Sequence, residues 1–429
     1  MNKKINLAFV FILFLSLFVL GQKVMAQDNT VTIEHYQVKV STPDRAMLLN
    51  IPNSKTEIYY YSKSNGQKVS LANVITNDKG AINNVKVNVP SNVDRLYFVH
   101  KLEDEKGNGV TDSDGRIVKV VSSKDINDDN TINSIEKRIF GNRDNNNANY
   151  SYIDAWNVLN KVIEDYKDAT NFTVQEMKHK KGETLRPFDE KPIKIQYNES
   201  EKLKGLFTKA NRDIGDISKG ERYLKINLPF LNKASEYNRF EELMRIYVAH
   251  EYAHWTMFQS IGREGMTGYG YRTHSSYNKV PQVSYKEGYA LLHANRFPYR
   301  FNMRGSLDVL VQGAEREKLY GKSTNKTVMN VFKDIYDLDN RVEKRDDLYN
   351  ISDDVLGKNG YTKTQREQLS NGLIYITMRD SKATTLEEYV TYLKKYYVND
   401  VREFNKILNI NGINDKGQFT RDEQGNLIN

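Results

Sequence analysis

The feature that most constrains this fold is a change of periodicity close to residue 149. Up to about Ser122, apolar residues alternate with polar ones. A strand that buries one face shows this pattern, because successive side chains point to opposite sides of the sheet. Val31 to Val40, Glu57 to Tyr61, Lys68 to Val74, Ile82 to Val89, Arg95 to Lys101 and Arg116 to Val121 all read as strands rich in Val, Ile and Tyr. Asn77-Asp78-Lys79-Gly80 and Asp112-Ser113-Asp114-Gly115 supply turns between them. Short strands with no helical period predict an antiparallel β-sandwich over 27–122, immunoglobulin-like or transthyretin-like. This region holds no histidine cluster and no nucleophile beside a base, so it reads as an accessory module.

Asn142 to Asn149 has nothing to bury and marks the join, within a 123–149 linker. Beyond it the apolar period becomes helical: Tyr152 to Tyr166, Phe240 to Ile261, Gln282 to Asn295, Leu307 to Leu319, Val328 to Val342, Thr364 to Met378 and Leu386 to Phe404. Ile193 to Tyr197 and Tyr223 to Leu228 are strand candidates. The chain is thus multidomain, with a mainly helical α+β domain over 150–429.

The ends and the composition bound the setting. Lys3 and Lys4, the apolar run Ile5 to Leu20 and the small-residue site Val24-Met25-Ala26 read as a secretory signal over 1–26. A single-pass anchor is the alternative. A leader of this type implies a secreted, periplasmic or cell-surface bacterial protein, with no stable span once it is cleaved. The chain contains no cysteine, so stability must come from core burial and from any bound metal. A formal net charge of +8 includes Lys3, Lys4 and Lys23 of the leader. The remaining charges are mixed in sign with no long basic stripe, which argues against a nucleic-acid partner.

The Phe240 to Ile261 helix carries His250-Glu251-Tyr252-Ala253-His254, an HExxH pattern. Residues four apart lie one above the other on a helix face, so both imidazoles can meet at one zinc ion. Glu251, one position after the first ligand, can reach a water there and act as general base. Catalytic zinc needs a third protein ligand. Glu287, in Lys286-Glu287-Gly288-Tyr289-Ala290 on the next helix, is the strongest candidate; His274 and Glu264 in the intervening loop are the others. His293 reads as a surface or pocket histidine. An oxyanion donor is also needed, and Tyr271 or His274 in the Gly- and Tyr-rich loop 262–277 could serve.

With HExxH on one helix and E-G-x-A on a later one, residues 223–295 resemble the gluzincin group of zinc metallopeptidases. The resemblance implies a zincin-like catalytic domain, His250, His254 and Glu287 as zinc ligands, Glu251 as base and proton shuttle, and a protein or peptide substrate. Two positions depart from the pattern. Thr256 stands where an apolar residue is usual, and Leu291 where thermolysin-like enzymes place an Asp behind a ligating histidine. Met257 and Ser260 stand where a metzincin would have Gly and His. The rival from another class is a surface binding protein with a structural or vestigial zinc site.

A second metal pattern occupies the linker. Asp125 to Glu136 aligns with the twelve-residue EF-hand loop, with Asp125, Asn127, Asp129, Thr131 and Glu136 as candidate calcium ligands. Asn130 replaces the usual glycine at the sixth position.

Overall fold

A computed structural model describes residues 28–41, 48–112, 114–139, 150–177, 185–200, 223–229, 248–262, 276–300, 318–336, 349–357 and 360–428. The leader and the loop 263–275 lie outside these residues. A sheet-rich region comes first and a helical region follows.

Two four-stranded sheets make up most of the first region. In one, β1 (Asp28–Ser41) is flanked on one edge by β2 (Leu48–Leu49) and β5 (Ala81–Pro90), and on the other by β9 (Thr131–Ile139). The second runs β4 (Lys68–Ile75), β3 (Lys55–Tyr61), β6 (Arg95–Lys101), β8 (Lys119–Asp125). Every pairing is antiparallel except β1 with β9, which is parallel. The long strand β1 keeps its apolar face inward through a bulge between Ile33 and His35. Val31 and Ile33 point in before the bulge and Tyr36, Val38 and Val40 after it, the phase shift that one extra residue produces. Tyr36 of the first sheet stacks on Phe98 of the second with ring centroids 3.9 Å apart.

Over 123–139 the structure differs from the expected linker, and 140–149 lie outside the described residues. Residues 119–139 are strand over most of their length, and the chain leaves β8 in one sheet to enter β9 in the other through a tight turn at 127–130. The Asp125 to Glu136 stretch therefore runs from the end of one strand through a turn into the next. Asp125 accepts from the Arg95 Nε at 2.6 Å, and Asp129 accepts from Thr131 Oγ1 at 2.6 Å. Glu136 lies up β9 and accepts from the Tyr36 hydroxyl at 2.7 Å. At about 3.3 Å per residue, an extended strand carries Glu136 roughly 17 Å from Thr131.

The EF-hand likeness has a physical origin in turn chemistry. In the 127–131 turn the first and fifth residues pair through Asn127 N–H to Thr131 O, and Asn130 takes a left-handed φ of 59°. The same backbone turn recurs at 77–81, 104–108, 112–116, 414–418 and 422–426. In those five copies the side chain of the leading Asn or Asp also accepts a fifth-residue N–H. Asx residues and a left-handed position are what such turns need, and EF-hand loops draw on the same residues.

Helix α1 (Tyr150–Glu176) joins the two regions. Its Trp156 Nε1 donates to Pro52 O at 2.7 Å, and Asn157 Nδ2 donates to Asn50 O at 2.8 Å, both in the sheet-rich region. Its far end crosses helix α6 (Lys363–Ser381) at Gly372, where an added Cβ would lie 2.0 Å from Thr173 Oγ1. A third sheet is entirely parallel: β7 (Gly109–Thr111), β10 (Lys194–Ser200) and β11 (Tyr223–Pro229), with β10 in the middle. Its strands come from both sides of residue 149. The change of element type after residue 149 thus falls within continuous packing.

The remaining helices are α2 (residues 248–262), α3 (Pro281–Arg300), α4 (Asn325–Tyr336), α5 (Ile351–Leu356), α7 (Leu386–Tyr396) and α8 (Val401–Ile410). The expected single helix from Leu386 to Phe404 is divided in two. Asp400 caps α8 by accepting from the N–H groups of Arg402 and Glu403, and Asp354 holds the break by accepting from Asn399 and Asp400 N–H. None of the described helices is long and apolar enough to cross a membrane.

Candidate metal centre

Over residues 248–257 helix α2 is buried on every side. Val248, Ala249, Tyr252, Ala253, Trp255 and Met257 are all 1 % exposed or less. Its histidines therefore lie in a dry interior, where polar groups must be paired or ligated. Helical spacing brings His250 and His254 together as expected, with Nε2 to Nε2 at 3.1 Å.

Helix α3 supplies the third group. Glu287 Oε2 lies 3.5 Å from His250 Nε2, and its Oε1 lies 3.6 Å from His254 Nε2. All three ligand atoms fall within 4.8 Å of one another, and all three residues are buried.

The donor set fits a zinc ion. Bonds of about 2.0–2.1 Å in tetrahedral directions put neighbouring donors roughly 3.4 Å apart. The three separations here scatter about that edge length. A single proton shared between the imidazoles would serve the 3.1 Å pair only, and both carboxylate distances exceed hydrogen-bond length. One cation in the middle would serve all three.

Glu287 owes its position to two features near the start of α3. Asn278 Nδ2 donates to Ser284 Oγ and to Asn325 Oδ1, each at 2.9 Å, and Ser284 Oγ bonds Ser323 Oγ at 3.0 Å. This buried knot locks the beginning of α3 to the beginning of α4. Gly288 then lets the helices touch: a Cβ there would meet Val328 Cβ at 2.5 Å and Asn325 O at 2.7 Å. The glycine beside the third ligand is a close-approach glycine. The knot escaped sequence reading, because Asn278, Ser284, Ser323 and Asn325 share no local pattern.

Electrostatics follow burial. Desolvation pushes the Lys286 ammonium below its ordinary value, with Glu287 opposing, and lifts the Tyr252 and Tyr285 phenols well above theirs. His293, read as a surface or pocket histidine, is 3 % exposed, which excludes the surface position. Its ring stacks on Tyr166 at 5.0 Å and tilts against Tyr289 at 4.7 Å.

Glu251 lies on α2 between the two histidines and is 7 % exposed. Tyr271 and His274, the expected oxyanion donors, lie outside the described residues, as does Glu264. Among the described residues, His250, His254 and Glu287 make the one group of acidic and imidazole side chains that could hold a metal. Of the candidate calcium ligands, Asn127, Asp129 and Thr131 meet in the 127–131 turn, while Asp125 bonds Arg95 and Glu136 bonds Tyr36. Compared with known proteins, the chain matches no family model and no curated protein.

Proposed function

We propose that this chain is an exported, zinc-dependent metallopeptidase of gluzincin type. The carrying observation is the closed triangle of His250 Nε2, His254 Nε2 and Glu287 carboxylate oxygens. The sequence pattern adds Glu251, and the leader-like residues 1–26 add the export.

Zinc, when held by His250, His254 and Glu287, supplies Lewis-acid polarisation of a scissile carbonyl and of a water. The chain's own residues divide the remaining work. Glu251 takes the proton of the attacking water and hands it to the leaving amine, as a carboxylate within reach of both can do. The buried walls of α2 and α3 exclude bulk solvent, which strengthens each of these charge interactions. Tyr271 or His274 is proposed as the donor to the oxyanion. The zincin-like assignment of the 150–429 domain rests on the chain order of strand β11, helix α2 and helix α3, the two helices carrying that triangle.

Glu251→Gln tests the reading. The variant is expected to keep zinc while losing cleavage of casein and of a mixed peptide library. Unchanged cleavage sinks the mechanism. Failure of zinc-loaded wild type to cut any peptide sinks the peptidase and leaves a metal-bearing binding protein.

A further inference from the structure

The turn at 104–108, in the sheet-rich region, ends in a buried side chain with several bonds. Asn108 is 0 % exposed. Its Nδ2 donates to Glu190 Oε1 at 2.6 Å and to Asp104 Oδ2 at 2.8 Å, while its Oδ1 accepts from Ile193 N–H at 3.0 Å. Gly109 N–H adds a bond to Ile193 O at 2.9 Å, and β7 then continues beside β10 in parallel register. Through its NH2 the amide donates to both carboxylates, and through its oxygen it accepts from the backbone at the same time.

The segment that Asn108 grips is a strap across the motif helix. Trp255, the residue after His254, donates its indole N–H to Lys191 O at 3.2 Å. The other end of the strap is held by Arg379, whose guanidinium donates to Arg186 O at 3.0 Å and Pro187 O at 2.9 Å. Residues 186–193 are thus fixed at one end by α6 and at the other by the sheet-rich region, with Trp255 bonded between them.

We propose that Asn108 is a positioning residue for the metal centre, acting through Glu190, the 190–193 strap and the Trp255 indole on the orientation of the α2 histidines. On this view the sheet-rich region is a working part of the zinc site and no mere appendage. The inference deepens the zinc reading and rests on it. Outer partners that orient metal ligands typically change metal affinity by about 10- to 100-fold when removed.

Zinc affinity of the full chain, measured by competition with a chelator, tests this. Asn108→Ala and Trp255→Phe are each expected to weaken zinc about tenfold. The double variant is expected to lose little more than either single one, since both cut the same route. Tyr36→Phe removes a hydrogen bond in the sheet-rich core away from the strap, and is expected to lower the melting temperature with zinc affinity unchanged. Zinc affinities of Trp255→Phe and Asn108→Ala no different from that of Tyr36→Phe overturn the proposal, as do fully additive losses. Should Asn108→Ala not fold, an unchanged affinity in Trp255→Phe alone overturns it. No zinc binding by wild type removes the zinc reading itself, a result distinct from all of these.

Discussion

Two stretches of this chain carry the residue pattern of a cation site, and they fold in opposite ways. At 250–287 two helices bring three donor atoms within 4.8 Å. At 125–136 the pattern is drawn out along a turn and a strand, with its terminal Glu136 spent on Tyr36. The difference lies in what each motif presupposes. HExxH needs only a helix, and helical geometry then forces the two imidazoles together. A calcium loop must be bent back by the elements that flank it, and here those elements are strands belonging to different sheets. Residue chemistry alone thus marks a cation site only when the local backbone also makes the donors converge.

Removing donors separates the two stretches most strongly. His250→Ala, His254→Ala and Glu287→Ala are each expected to lose bound zinc, read by elemental analysis after dialysis, while wild type holds about one ion per chain. Asp125→Asn and Glu136→Gln are expected to leave calcium content where it began, at none. Full zinc in Glu287→Ala would return the third ligand to His274 or Glu264. Next in size is Glu251→Gln, which on the proposed peptidase reading is expected to keep the metal and to lower turnover by about 10²–10⁴-fold, the usual weight of a general base.

Gly288→Ala tests how the third ligand is presented. Its new methyl would collide with Val328 Cβ and Asn325 O, and both are held in packed structure. Overpacking of this kind costs about 1–3 kcal/mol. A lower melting temperature and weaker zinc binding together are expected. Weaker stability with unchanged zinc affinity would mean that Glu287 finds its place without the close α3–α4 approach.

Legibility divides along the same line as the two stretches. The principal strands, the two helices of the metal centre and Glu287 were all readable, because each rests on a local period or a short spacing. The bulge in β1 went unread, although the step from Val31 and Ile33 to Tyr36, Val38 and Val40 carries its signal. What sequence did not show is non-local. The parallel β1–β9 pairing, the short β7 that joins both regions in one sheet, and the strap held by Asn108 and Arg379 depend on partners far apart in the chain. The division of the last long helix at Asp400 was visible only as an ordinary acidic residue inside an apolar pattern.

The smallest effect sharpens the contrast furthest. Asn130 occupies the left-handed position that Gly80, Gly107, Gly115, Gly417 and Gly425 fill in the sister turns. Asn130→Gly removes the strain of a side chain at positive φ but also loosens the unfolded chain, and these terms oppose. The net change in stability is expected to stay within about 1 kcal/mol. In an EF-hand loop the same substitution restores the glycine that the sixth position needs, and calcium would then raise the melting temperature by mass action. A turn between two sheets has no such response. Melting curves of Asn130→Gly that coincide with and without calcium support the turn; a calcium-dependent rise would revive the cation loop and erase the contrast between the two stretches.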